Sequence, residues 1–267
     1  MKNLIIFKRI VIVSLLCLIS IFSFAFGEEP IKPLTQVNKE FLVVVHITYD
    51  KDTVANIDTN AIKLIFVQLN TLFKPISVSF NICEFRYIYN YQYDTLQGNR
   101  EPELIANYFV PDRINMFFVA DIVSTTITEC GNAAVGGISL PQSIIVIRKG
   151  TCANIITVGH EMGHFFNLLH TFDSSNGAEL VNESNCQTAG DGLCDTPADP
   201  FVSPGSPASY VNSGCTFIST VKDANGQFYN PDVGNIMSYY GSCVCPKFSH
   251  DQYEKMATYY LANPVSW

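Results

Sequence analysis

The spacing of apolar positions predicts that strands and helices alternate over the first two-thirds of the chain. Residues 41–49 form a β-branched, apolar run that ends at the charged residues 50–52, which is typical of a buried strand. Residues 57–73 instead repeat apolar side chains at helical spacing, behind candidate caps at 58–60. The other predicted elements are strands in 78–91, 114–119 and 143–148 and a short helix in 100–109. This order favours a mostly parallel sheet with helices packed on it.

A glycine-interrupted run at 133–140, bounded by Pro141, predicts an exposed edge strand. After residue 170 the periodicity disappears, and 171–248 is rich in Gly, Pro, Asn, Ser and Asp. Such a segment buries little core of its own, and we expect disulfides to hold it together. An amphipathic helix is predicted at 250–262.

The first 27 residues have the pattern of a cleaved signal peptide. Lys2, Lys8 and Arg9 precede an apolar run, and cleavage is expected between Gly27 and Glu28. The alternative is an uncleaved membrane anchor, since the run is near the lower limit for spanning a bilayer. Residues 28–40 would then be a linker or a short pro-segment. We therefore expect a secreted protein without stable membrane association.

The charge balance argues against nucleic acid as a partner. The formal net charge of the whole chain is −8. The leader holds three basic residues and no acidic one, so removing it leaves 13 Lys+Arg against 24 Asp+Glu. A chain this acidic is repelled by nucleic acid and by anionic membranes.

Eight of the nine cysteines lie beyond the leader. An even number of cysteines in an exported chain predicts up to four disulfides. A competing interpretation is a structural zinc site formed by Cys243 and Cys245 with Cys186 or Cys194, although the first pair is spaced one residue short of the usual motif.

Three of the five histidines fall between residues 160 and 170. His160 and His164 are four residues apart and lie on one face of a helix, with Glu161 beside them. A continuous helix would carry His170 too far along the axis, so the chain must turn sharply first. Asn167 stands at that turn and tolerates the left-handed conformation that such a helix end requires.

This pattern predicts a catalytic zinc site. Three neutral imidazoles leave a fourth tetrahedral position for water, and Glu161 is placed to act as the general base on zinc-activated water. The histidines alone would also suit a hydratase or a zinc-binding module. Three unrelated histidines in a disulfide-rich structural protein are a further alternative.

The spaced histidines, with Asn167 between the second and third, resemble the long zinc signature of the metzincin metalloproteases. Asn235–Tyr239 looks like the methionine-containing turn of that clan, while His170-Thr-Phe and Asp191–Asp199 look like its pappalysin (cytophagalysin-like) branch. The clan usually has glycine where this chain has Asn167.

The resemblance implies an α+β (α/β) metzincin-like domain over residues 41–267. Its upper lobe, about 41–170, would hold a twisted, mostly parallel five-stranded sheet and two long helices. Its lower lobe, about 171–267, would be irregular and disulfide-stapled. The implied activity is zinc-dependent endopeptidase cleavage of peptides or proteins, by a chain expected to be a monomer. An inactive zinc-binding adhesion or interaction module on the same fold is the alternative.

The resemblance also implies roles for single residues. Met237 would support the metal site without touching the metal, and Tyr239 would contact zinc or the reaction oxyanion. Backbone groups near Gly137 and Ile138, on the predicted edge strand, would bind an extended substrate. The acidic loop 191–199 is a candidate calcium site.

The expected disulfides are Cys186–Cys215, Cys194 with Cys243 or Cys245, and Cys130–Cys152. The resemblance favours one bridge within the C-terminal loop and one joining the Asp-Thr-Pro segment to the chain after the methionine turn. Cys83 would pair with a remaining cysteine.

Overall fold

The computed structural model describes residues 32–123 and 129–265, so the predicted leader lies outside the described residues. From Leu34 onward the chain forms one compact unit. Leu34 and Val37 already pack against the main core, and the amide and hydroxyl of Thr35 both donate to the Glu254 carboxylate at 2.9 Å. The packed domain therefore begins before residue 41.

A five-stranded, mostly parallel sheet forms the centre of the fold, as predicted. Its strands are β1 (Lys39–Thr48), β2 (Val78–Ile88), β4 (Ile114–Val119), β6 (Gly131–Ala133) and β7 (Ile144–Arg148). Their order in the sheet is β2-β1-β4-β7-β6, and every neighbouring pair is parallel except β6 with β7. The short strands β3 (Thr95–Gln97) and β5 (Asp121–Val123) form a separate parallel pair.

The helices cover both faces of the sheet. Side chains of α1 (Thr59–Phe73), α3 (Ile155–Phe165) and α4 (His250–Ala262) share one hydrophobic cluster with alternate residues of β1, β4 and β7. The intervening strand residues, such as Phe117 and Val146, face a second cluster with Leu104 of α2 (Glu101–Tyr108). This alternation is what a strand period of two requires when both faces are buried.

The segment after α3 has little regular structure until α4, as its composition predicts. A third hydrophobic cluster holds it together around Phe201, Val211, Tyr240 and Cys243. Helix α4, however, packs Met256, Ala257 and Tyr260 into the main core. The C-terminal helix thus belongs physically to the sheet layer.

The predicted edge strand at 133–140 is wrong in position. The edge strand is Gly131–Ala133, while Gly137–Ser139 forms a single 3-10 turn after the left-handed Gly136 (φ 72°). Gly137 and Ile138 are buried, so their assignment as substrate-binding residues is corrected. An added Cβ at Gly137 would lie 2.5 Å from Ser143 Oγ and 2.6 Å from Phe165 Cδ2, which shows how tightly this turn packs inward.

Of the three expected disulfides, only Cys130–Cys152 is confirmed. The other two have exchanged partners: the observed bridges are Cys186–Cys194 and Cys215–Cys243. Cys83 and Cys245 are exposed free thiols.

Local turns account for the exchange of disulfide partners. Left-handed Gly190 and Gly192 fold the loop back on itself and bring the α-carbons of Cys186 and Cys194 within 5.0 Å. Cys215 lies in a turn of its own and meets Cys243 beside the third cluster. Within the described residues, no helix is both long and apolar enough to cross a bilayer.

Candidate active site

Helix α3 begins at a well-formed cap. The side-chain oxygen of Asn154 accepts hydrogen bonds from the amides of Ile156 and Thr157 at 2.8 and 3.1 Å. The helix then runs inward, so that His160 and His164 are 7% exposed. The sequence spacing alone places their imidazoles one turn apart on the same face.

A left-handed residue ends the helix and brings in the third histidine, as predicted. Asn167 has φ of 78°, and its amide donates to the carbonyl of His164. The chain reverses there, and the Nε2 atom of His170 lies 3.1 Å from that of His160 and 3.0 Å from that of His164. The three nitrogens therefore converge on one point.

Backbone carbonyls fix which ring nitrogen of two histidines carries the proton. The Nδ1 atom of His160 donates to the carbonyl of Ile236 at 2.7 Å, and that of His164 donates to the carbonyl of Leu168 at 2.8 Å. Both Nε2 atoms are then left with a free lone pair that points at the shared centre.

Burial keeps the three imidazoles neutral. It lowers the pKa of His164, holds that of His160 well below its usual range, and lowers that of His170 to about 3. Neutral imidazoles are the form that binds metal. Three lone pairs facing one another at about 3 Å repel unless a cation lies between them, so this donor set fits a zinc ion.

Glu161 lies at the junction of two pockets, one of about 510 Å³ and one of about 260 Å³. The residue is 6% exposed, and burial, followed by the nearby charge of Glu129, raises its pKa to about 8. Its carboxylate takes part in none of the hydrogen bonds found among the described residues. It is therefore available to a water molecule or a substrate in the cleft.

The methionine turn supports the histidines from below. Met237 is fully buried, and its Sδ would lie 2.6 Å from a Cβ added at Gly163, one residue before His164. The turn also reaches the histidine segment through its backbone, since the Met237 carbonyl accepts the amide of Thr171 at 3.2 Å. The Asn235 side chain accepts the Met237 amide at 2.9 Å and shapes the turn.

Tyr239 reaches the cleft beside the histidines. Its ring centroid lies 5.5 Å from that of His160 and 4.7 Å from that of His170, and the residue is 39% exposed. Burial of the hydroxyl raises its pKa to about 12, which keeps it protonated and able to donate a hydrogen bond at neutral pH.

The sequence assigned no individual role to several residues that support the site. Phe172 stacks on the His170 ring with centroids 4.7 Å apart, and Gly131 of the edge strand lies directly against Glu161. The side chain of Asp199 accepts hydrogen bonds from Thr171 and Tyr240, which joins the segment after His170 to the segment after Met237. Only the tertiary fold reveals these contacts.

The expected calcium site stays a prediction. Within the described residues, one group of potential ligands other than the histidines comes together: Asp195, His250 and Asp251. The Asp195 carboxylate there accepts hydrogen bonds from the Ser249 hydroxyl and the Asp251 amide, as a helix cap does. Asp191, deeper in the same loop, is held by the Thr196 hydroxyl.

A peptidase family model described as pregnancy-associated plasma protein-A matches residues 146–260, which contain the three histidines, Glu161 and Tyr239. This segment is similar to the pappalysin metallopeptidases of the metzincin clan. The match supports a metallopeptidase that acts on peptides or proteins and a bound metal, typically zinc. No curated protein matches the chain.

Solved structures carry the same fold as this chain. Mature mirolysin of Tannerella forsythia, in complex with a cleaved peptide, is 17% identical with a TM-score of 0.56, over 84% of this chain and 91% of mirolysin. A promirolysin variant from the same organism is 14% identical with a TM-score of 0.51, over 87% of this chain and 82% of that one. At these identities the similarity bears on the fold alone.

Proposed function

We propose that the protein is a secreted zinc-dependent endopeptidase in which Glu161 is the general base. One arrangement carries the proposal. Three neutral imidazoles converge on a point in an open cleft. Glu161, whose carboxylate has no hydrogen-bond partner among the described residues, lines both pockets of that cleft. A purely structural zinc site would be closed by a fourth protein ligand.

His160, His164 and His170 would hold the metal. Zinc, when bound, supplies a Lewis acid that activates water and polarises a carbonyl group. Glu161 accepts the proton of the attacking water and passes it to the leaving nitrogen of the cut peptide bond. The Tyr239 hydroxyl donates a hydrogen bond to the oxyanion that develops on the substrate carbonyl.

The substrate would lie along the edge strand β6, and not along the segment around Gly137 as the sequence suggested. Strand β6 ends the sheet, so its outer backbone groups are free of strand pairing, and Gly131 and Asn132 border the pockets around Glu161. An extended peptide can pair with such an edge through main-chain hydrogen bonds.

Export rests on the apolar leader at 1–27 and on the three disulfides, which persist in oxidising compartments. N-terminal sequencing of the protein recovered from culture medium tests this: a start near Glu28 supports cleavage at the proposed position. Retention in the cell with the leader attached would contradict it.

Zinc content is the first test of the site. Protein purified without chelators should carry close to one zinc per chain, because the His160 group is the one cluster of three imidazoles within the described residues. His164→Ala should reduce the zinc content to near zero. Wild-type protein without zinc by elemental analysis would refute the proposal.

The role of Glu161 is tested by Glu161→Ala, with exposed Glu84→Ala as the matched control. The first variant should keep zinc and fold but lose peptidase activity by several orders of magnitude, because the base makes no metal bond. The control should behave as wild type. Loss of zinc in Glu161→Ala would make Glu161 a ligand, and unchanged activity would favour an inactive binding module or a different base.

A further inference from the structure

The Glu161 side chain lies directly against the backbone of the edge strand. A Cβ added to Gly131 would lie 2.6 Å from Cγ and from Oε1 of Glu161, and 2.8 Å from Cδ. Real Cβ atoms do not come this close to other heavy atoms. The backbone of Gly131 can therefore form a wall of the cleft in direct contact with the Glu161 side chain only because glycine has no side chain.

This wall matters because hydrogen bonds do not fix the Glu161 carboxylate. None of the described residues donates a hydrogen bond to it, although the side chain is almost fully buried. A carboxyl group in that situation takes its position from packing alone. The surface it packs on opposite α3 is the α-carbon of Gly131.

The edge strand in turn has a fixed position relative to α3. Gly131 pairs with Ile147 in β7, and the preceding carbonyl of Cys130 accepts the amide of Arg148 at 2.8 Å. The disulfide from Cys130 to Cys152 ties the start of β6 to the chain just before α3. Ladder and disulfide together prevent the wall from moving away from Glu161.

We infer that Gly131 is a positioning residue for Glu161: its bare α-carbon sets the distance of the carboxylate from the histidine centre. The inference rests on the proposed role of Glu161 as the base. Gly131 has no positive φ, so its backbone conformation is open to any residue. Glycine is required there for space and not for backbone freedom.

The experiment is a double-mutant cycle between Gly131→Ala and Glu161→Asp. Gly131→Ala should lower kcat about 100-fold, since a shift of about 1 Å in a catalytic group costs that much, with KM and zinc content close to wild type. The shorter aspartate leaves room for the new methyl group, so Gly131→Ala should cost far less activity in the Glu161→Asp background. Gly98→Ala is the matched control, since a Cβ there meets nothing within 4 Å.

If Gly131→Ala folds poorly, measurements of Tm provide a second test. Replacing Glu161 by alanine removes the atoms that the new Cβ would strike, so Gly131→Ala should lower Tm in the wild type and hardly at all beside Glu161→Ala. Equal losses of Tm in both backgrounds would overturn the inference, as would full activity of Gly131→Ala. Failure of the proposed function looks different: Glu161→Ala itself would then remain active.

Discussion

Asn167 decides at a single position whether the third histidine reaches the metal site. Its φ of 78° turns the chain after α3, and the next amide, of Leu168, donates to the carbonyl of Gly163. The carbonyl of Leu168 then holds the ring of His164. One left-handed residue thus places one of the proposed zinc ligands and orients another. Glycine would serve equally well here, whereas a β-branched residue would be strained.

We therefore expect Asn167→Gly to keep zinc and activity, with a free energy of unfolding within about 1 kcal/mol of wild type. Asn167→Val should lower the free energy of unfolding by about 1–2 kcal/mol, because a β-branched residue is strained in the left-handed conformation that asparagine tolerates. Its zinc affinity should fall too, since His170 is displaced. Urea denaturation and competition with a chelator measure both quantities. Equal behaviour of the two variants would contradict this account of the turn.

His46 is a histidine of the fold and not of the site. Its ring stacks on Phe117 with centroids 4.1 Å apart, and its Nε2 lies 3.0 Å from the side-chain oxygen of Asn115. It is fully buried within β1. Burial lowers its pKa from 6.5 to about 4.

This depressed pKa makes stability depend on pH. The unfolded chain takes up a proton at His46 below about pH 6.5 while the folded protein does not, so this contribution to stability is lost as pH falls toward 4. His46→Gln cannot titrate. Between pH 7 and 4, wild type should therefore lose about 3 kcal/mol of unfolding free energy relative to this variant. Parallel pH profiles of the two proteins in urea would refute the assignment.

At the scale of elements, sequence periodicity located the regular structure well. Strand β4 and helix α4 have the bounds that were predicted, and α1 begins behind the predicted cap Asp58. Helices α1 and α4 each bury one face, which leaves a helical period in the sequence, and β4 is buried on both faces and forms an almost unbroken apolar run. The edge strand β6 is only three residues long and leaves no such pattern in the sequence, so the segment around Gly136 and Gly137 was mistaken for it. Two of the disulfide pairings were missed for a related reason: they depend on left-handed turns that composition does not reveal.

One buried side-chain pair joins α4 to the methionine turn. Asn235 donates its amide to the side-chain oxygen of Gln252 at 3.0 Å, and Gln252 donates back at 3.1 Å. Gln252 is fully buried, and its oxygen also accepts the amide of Ser249 in a capping box. The C-terminal helix thereby supports the turn that holds Met237.

Gln252→Ala should lower the free energy of unfolding by about 2–3 kcal/mol, because it leaves the buried Asn235 amide without a partner. It should also reduce zinc affinity, since Asn235 shapes the turn whose Ile236 carbonyl holds the ring of His160. Thr258→Ala, on the exposed face of the same helix, is the control and should change little. Calorimetry and zinc titration measure the two effects. If Gln252→Ala were destabilised but kept full zinc affinity, α4 would not support the zinc site.

At the scale of the whole molecule, two separate cores share one active site. The sheet and its helices supply α3 with His160, Glu161 and His164, while the irregular C-terminal segment supplies Tyr239. The third cluster, which includes Tyr240, buries far fewer residues than the sheet core. The Cys215–Cys243 bridge closes a loop with a sequence separation of 28 and ends just after the methionine turn.

Removing this bridge should therefore inactivate the enzyme before it unfolds the sheet. A loop of this length is expected to contribute roughly 3–4 kcal/mol of stability, and that contribution falls on the smaller core, which has few other contacts to replace it. In Cys215→Ala/Cys243→Ala, peptidase activity should be lost at a lower temperature than far-UV circular dichroism, whereas in wild type the two should change together. Cys83→Ser, which removes an exposed free thiol, is the control for cysteine loss alone. Coincident transitions in the double variant would show that the two cores unfold as one unit and that the bridge does not act locally on Tyr239.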